Sequence, residues 1–122
     1  MLIHKKISEY VVFDSETVFK ALEKINANKK RIIFVLADNG VLMGSVTDGD
    51  FRRWVTSSPD FDVNISVSAI MNTNVSWASL GSENTDIYSK FSTSIDVIPM
   101  VDSMQRLVSV AFKHEDGFAV GG

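Results

Sequence analysis

The sequence predicts an α+β fold made of two similar halves that share one core. Three observations carry this expectation. Short apolar runs rich in β-branched residues, of strand length, alternate with segments of helical periodicity. A turn signal closes a hairpin in each half, at Asp38-Asn39-Gly40 and at Ser103-Met104-Gln105. The order of elements then repeats with an offset of about 64 residues when Asp38 is matched to Asp102.

The elements follow in order. Residues 10–13 read as a short strand. Asp14 and Ser15 supply a helix cap, and Glu16 puts a negative charge in the first turn. Val18, Ala21, Leu22 and Ile25 fall at i, i+3, i+4 and i+7 and form one apolar stripe, which Asn26-Ala27-Asn28 ends. Residues 31–36 are a near-continuous apolar run, as a buried strand requires. Asn39-Gly40 offers two positions tolerant of positive φ, and residues 41–46 return as the second hairpin strand. Thr47 caps a helix with the apolar face Phe51, Trp54 and Val55, stopped by Ser57-Ser58-Pro59-Asp60. In the second half, residues 74–77 are expected as a strand and residues 82–91 as a helix, with Ile87 and Phe91 four apart. Residues 96–102 and 106–112 are the two hairpin strands. At this register Thr47 falls on Ala111 and Asp50 on His114. The halves are expected at 1–60 and 61–116, with 61–71 as the linker, packed face to face because each is too small to be stable alone.

Composition excludes much. A chain of 122 residues buries about two-thirds of its unfolded surface, so it needs neither disulfides nor metal to fold. With 45% hydrophobic and 22% charged residues it is globular rather than disordered. It has no Cys, which excludes thiolate metal sites, iron–sulfur clusters and Cys nucleophiles together. A net charge of −3 argues against a nucleic-acid groove or a polybasic membrane surface. No apolar run approaches the roughly 18 residues of a membrane span, and residues 1–6 lack the apolar stretch of a secretory signal. A cytoplasmic protein with no nucleic-acid or membrane partner is expected. There is no Ser/His/Asp order, no carboxylate pair on one element and no complete P-loop, so no catalytic residues are assigned and no enzymatic activity is expected of the chain itself. Asp48, Asp50, Glu115 and Asp116 lack metal-ligand spacing, and no metal is expected.

The run Gly44-Ser45-Val46-Thr47-Asp48-Gly49-Asp50 is a strand that ends in Gly-x-x-Thr-x-x-Asp and enters a helix. Ile98-Pro99-Met100-Val101-Asp102 is an apolar strand with Pro that ends in Asp before a hairpin, and Phe34-Val35-Leu36-Ala37-Asp38 matches it without the Pro. With the duplication, these motifs resemble the CBS domain pair, or Bateman module, over roughly residues 3–114. The resemblance implies two β-α-β-β-α halves related by a pseudo-twofold axis and a homodimer of such pairs. Gly117-Phe118-Ala119-Val120-Gly121-Gly122 looks like the first strand of a Rossmann-type nucleotidyltransferase, where a Gly-rich turn meets phosphates. CBS pairs occur fused ahead of sugar-phosphate nucleotidyltransferases in bacteria. The resemblance therefore implies a regulatory module whose catalytic domain begins at 117–122 of the same parent chain; a terminal tail is the alternative.

Thr47 and Asp50 have two readings. Together they are a capping box, which satisfies two orphan N–H groups. They are also the family's nucleotide-binding positions, where the hydroxyl and first helical turn meet phosphate and the carboxylate takes ribose hydroxyls. Gly44 then lets the backbone approach a base. By carry-over the site is Ser45, Val46, Thr47 and Asp50, completed by Ile70, Met71, Val75, Ile95, Asp96 and Val97, with Lys30 and Arg31 neutralising phosphate. Asp96 departs from the pattern, since a carboxylate repels a phosphate chain; it favours adenosine, a monophosphate or a cationic ligand over a triphosphate. The second half keeps no hydroxyl–carboxylate pair, so at most one good site is expected. The function implied is sensing of an adenine nucleotide (AMP, ADP, ATP or related) and control of an attached enzyme. The rival reading is a ligand-free dimerisation and assembly module.

Overall fold

The structure, a computed structural model, describes residues 1–114. Its strands and helices are β1 (Leu2–His4), β2 (Val11–Phe13), α1 (Val18–Asn28), β3 (Ile32–Leu36), β4 (Leu42–Thr47), α2 (Asp48–Ser57), β5 (Ala78–Ser79), α3 (Asn84–Tyr88), β6 (Val97–Val101) and β7 (Leu107–Phe112). Two sheets result. One has the order β2-β3-β4, with β2 parallel to β3; the other has the order β1-β7-β6-β5, with β5 parallel to β6. The long strands pair as antiparallel hairpins, β3–β4 and β6–β7. This is the expected α+β architecture of two repeated halves.

The repeat is offset by 65, not 64. Ile32 opposite Thr47 corresponds to Val97 opposite Phe112, and Leu36 opposite Leu42 to Val101 opposite Leu107. Matching the two aspartates is misleading because they do different work. Asp102 closes its own turn, accepting from the Met104 and Arg106 amides at 2.9 and 3.0 Å. In the first turn Asn39 Oδ1 accepts from Val41 N at 3.2 Å instead. The counterpart of Thr47 is therefore Phe112, not Ala111, and His114 falls at this offset on Gly49, not on Asp50. The pseudo-twofold axis is written in two reciprocal bonds between the turns: Leu42 N donates to Gln105 O and Leu107 N to Gly40 O, both at 3.0 Å.

The halves also exchange end segments. β1 pairs with β7 of the second half, and Asn72 of the second half exchanges two backbone bonds with Ser45, at 2.7 and 2.9 Å, on the edge of the first sheet. The central core draws Val11, Phe34 and Leu36 from one half and Val97, Val110 and Phe112 from the other. Burying such side chains contributes about 1.5–3 kcal/mol each, and here neither half can bury them alone.

Several expectations need correction. The cap of α1 is Thr17, whose Oγ1 accepts from Lys20 N at 3.1 Å, not Asp14 or Ser15. The next orphan donors are met by the linker: Val18 N donates to Ile65 O and Phe19 N to Val63 O, at 3.0 and 2.8 Å. Residues 74–77 form no strand. Asn72 is bonded in one sheet and Ala78 in the other, so this stretch spans the gap between them. The helix expected over 82–91 is only Asn84–Tyr88. Its N-cap, Glu83, makes no side-chain cap bond, and hydroxyls capture the backbone at its end: Ser89 Oγ donates to Asp86 O, and Ser92 Oγ accepts from Ile95 N. Among the described residues the second half is β-α-β-β, without a second helix. The expected nucleotidyltransferase strand at 117–122 lies outside the described residues.

Candidate functional site

The first half builds a basic loop with a buried amide. Asn28, only 7% exposed at the end of α1, donates from Nδ2 to Glu9 O and Ile32 O at 3.1 and 3.0 Å; its Oδ1 accepts from Lys30 N at 2.9 Å. The loop between α1 and β3 is thereby fixed with Lys29 and Arg31 in left-handed backbone conformations, φ 62° and 61°. Such conformations cost non-glycine residues about 1 kcal/mol or more and persist only where surrounding contacts impose them. Lys30 Nζ lies 4.5 Å from the centroid of the Phe112 ring. Arg31 O accepts from Asp48 N at 3.2 Å, which ties the loop to the start of α2.

That start is a complete capping box. Thr47 Oγ1 accepts from Asp50 N at 3.0 Å, and Asp50 Oδ2 accepts from Thr47 N at 2.9 Å. Asp50 Oδ1 faces the Arg53 guanidinium, and Asp48 pairs with Arg52 at 2.9 Å. With Asp48 N bonded to Arg31 O and Asp50 N to Thr47, Gly49 is the first-turn residue whose N–H has no place in the helix ladder.

The loop, the cap, residues 72–76 and the start of β6 together line an open cavity of about 450 Å³ between the halves. Lys30, Arg31, Ser45 and Thr47 line it from the first half, and Val75, Ile95, Asp96 and Val97 from the second. These eight expected residues meet in one place. Four others do not line it. Val46 points to the opposite face of β4, as strand alternation requires, and is 1% exposed in the core with Val12 and Ile33. Ile70 and Met71 pack on that same cluster. Asp50 is turned back into the cap. The role expected of Gly44 is corrected too: a Cβ there would stand 2.7 Å from Asn72 O and 3.0 Å from Met71 Sδ. The glycine admits the linker, not a base.

The cavity also holds residues that the sequence did not point to: Phe34, Asp48, Gly49, Asn72, Asn74, Ser76 and Ser94. The amide-rich run Asn72-Thr73-Asn74 was the available signal. Asn72 Oδ1 folds back to accept from Asn74 N at 2.9 Å, and this bend carries the chain along the cavity wall. At the pseudo-equivalent position of Thr47, Phe112 is buried against Tyr10 and His4, with ring centroids 5.3 and 4.9 Å away. A phenyl ring there offers no hydroxyl.

Residues 5–57 match the family model of the CBS domain. This CBS match contains the basic loop, the first hairpin and the Thr47 cap. No curated protein sequence matches the chain. Among solved structures, a CBS domain protein from Streptococcus pneumoniae TIGR4 superposes with TM-score 0.79 at 13% identity, over 91% of this chain and 74% of that one. CBSX2, solved in complex with AMP, gives TM-score 0.67 at 20% identity over 91% and 86%. The cytosolic domain of the Mg2+ channel MgtE, solved in complex with ATP, gives 0.68 at 23% over 85% and 42%. At such identities the likeness is one of fold: the chain has the fold of a CBS pair. No helix among the described residues is long and apolar enough to cross a membrane.

Proposed function

We propose that the chain is a regulatory module that senses an adenine nucleotide in the cavity between its CBS halves. The observation that carries this reading is the convergence of opposite chemistries on one space. Lys30, Arg31, Thr47 and the Gly49 end of α2 offer cations, a hydroxyl and an N–H to a phosphate. Val75, Ile95 and Val97 offer apolar surface to a base. The AMP and ATP complexes of two fold relatives support it. Asp50 holds the turn in this reading, and Arg53 competes with ribose hydroxyls for its Oδ1. Nucleotide binding favours one arrangement of the halves and so biases an attached enzyme. That enzyme is a nucleotidyltransferase on the sequence pattern of 117–122 alone.

The test is thermal unfolding with AMP, ADP, ATP, adenosine and S-adenosylmethionine, with GMP as control. Ligand at 100 times its Kd adds about 2.7 kcal/mol, a shift of several degrees for a chain of this size. We expect a rise with adenine ligands that Arg31→Ala abolishes. A flat panel overturns the reading. One observation favours the assembly-module alternative: no residue of α2 is buried, and its Phe51 and Trp54 form a partly exposed aromatic patch with Phe61. A homodimer through this patch, indifferent to nucleotide in sedimentation, supports that alternative.

A further inference from the structure

The backbone anchors at the starts of β3 and β6 are the same structure with the charges exchanged. In the first half Arg31 precedes β3, and its carbonyl accepts from Asp48 N at 3.2 Å. In the second half Asp96 precedes β6, and its carbonyl accepts from Lys113 N at 2.9 Å. Both pairs are related by the offset of 65, so the backbone anchors coincide while Arg becomes Asp and Asp becomes Lys. Arg31 and Asp96 both line the cavity. Among the described residues neither side chain is held in an ion pair, so both charges act on whatever enters.

We infer that Asp96 is the charge-selecting residue of this cavity, and that it admits a nucleoside carrying one phosphate or none in preference to a triphosphate. The inference rests on the nucleotide reading above. One phosphate can sit against Lys30, Arg31 and the first turn of α2. Each further phosphate extends the anion along a space whose other wall carries a carboxylate where the pseudo-twofold repeat of the first wall would place a second Arg. Like charges confined between protein walls repel more than in bulk water, and salt weakens the effect at an exposed position such as Asp96.

The test is calorimetric titration of the full chain with AMP, ADP and ATP, in wild type, Asp96→Asn and Asp96→Arg, at low and high salt. Asp96 is exposed and only its backbone is bonded, so both variants fold, which an unchanged Tm in the absence of ligand confirms. Wild type should bind AMP more tightly than ATP. Asp96→Asn should gain about fivefold for ATP with little change for AMP, Asp96→Arg should invert the preference, and high salt should compress the differences. The same AMP-to-ATP ratio in all three proteins, or a wild type that prefers ATP, overturns the role of Asp96 while the nucleotide site stands. No nucleotide bound by any of the three overturns both.

Discussion

Two polar side chains of the second hairpin show how position decides what an oxygen does for stability. Ser109 is 2% exposed, and its Oγ has no hydrogen-bond partner among the described residues. A buried hydroxyl left unpaired costs about 1–3 kcal/mol. Ser109→Ala should therefore stabilise the fold by about 1 kcal/mol, read as a higher urea midpoint with an unchanged m-value; a lower midpoint shows that the hydroxyl is satisfied. Asp102 is the converse. The Arg106 amide above all, with the Met104 amide and the Arg106 guanidinium, holds its carboxyl below the ordinary 3.8, against an opposing effect of desolvation that is second only to the Arg106 amide. Since folding lowers this pKa, the ionised group stabilises the fold above 3.8, and that contribution is lost as pH falls through the lowered value. Asp102→Asn should be less stable than wild type near neutral pH, and the gap should close in acid; a gap constant with pH sinks this assignment. Asp102 was legible as a strand-ending residue. The difference from Asp38 was not, because it depends on which amides each carboxylate reaches.

At the scale of elements, what a segment contains proved easier to read than what it meets. The capping box at Thr47 and Asp50 is local, and the motif alone specified it. The cap of α1 is not local, because residues 63–65 arrive from the linker to cover its first turn. Residues 74–77 are expected as a strand from the sequence, but a strand needs a partner, and this stretch lies between sheets. Backbone conformation at the basic loop was equally hidden, and it yields a paired prediction. Lys29 and Arg31 both have positive φ, where glycine is at no disadvantage. Lys29→Gly and Arg31→Gly should each raise stability by up to about 1 kcal/mol in chemical denaturation. Only Arg31→Gly should weaken nucleotide binding, because Arg31 lines the cavity and Lys29 does not. Equal losses of binding would mean that loop conformation, not the guanidinium, holds the ligand. Gly44→Ala should do the opposite and destabilise by about 1–3 kcal/mol, since its Cβ would push Asn72 off the sheet edge.

At the scale of the molecule, the duplication was legible because each hairpin carries its own turn and its own apolar strands. The exchange of ends was not: β1 is three residues long, and its partners Val110, Ala111 and Phe112 lie at the far end of the sequence. That exchange makes a single cooperative unit of two halves that are each too small to be stable alone. The first half gives β1 to the second sheet, the second gives Asn72 to the edge of the first, and Leu42–Gln105 and Leu107–Gly40 close the turns across the axis. The central cluster belongs to both. Unfolding either half exposes the other's apolar face, so an intermediate with one half folded loses more burial than it regains in chain entropy. The tryptophans report on the two halves separately: Trp54 lies in α2, and Trp77 directly precedes β5. In Trp54→Phe and Trp77→Phe, the fluorescence of the remaining indole should give the same urea midpoint as circular dichroism. Removing residues 1–4 takes away β1 and its pairing, and should lower the midpoint seen by Trp54 as much as that seen by Trp77, although β1 lies in the sheet that Trp77 adjoins. Midpoints that separate, or a truncation felt by Trp77 alone, would mean that the halves fold independently. The ligand could then no longer act by shifting one shared equilibrium, and its influence would be confined to the cavity wall it touches.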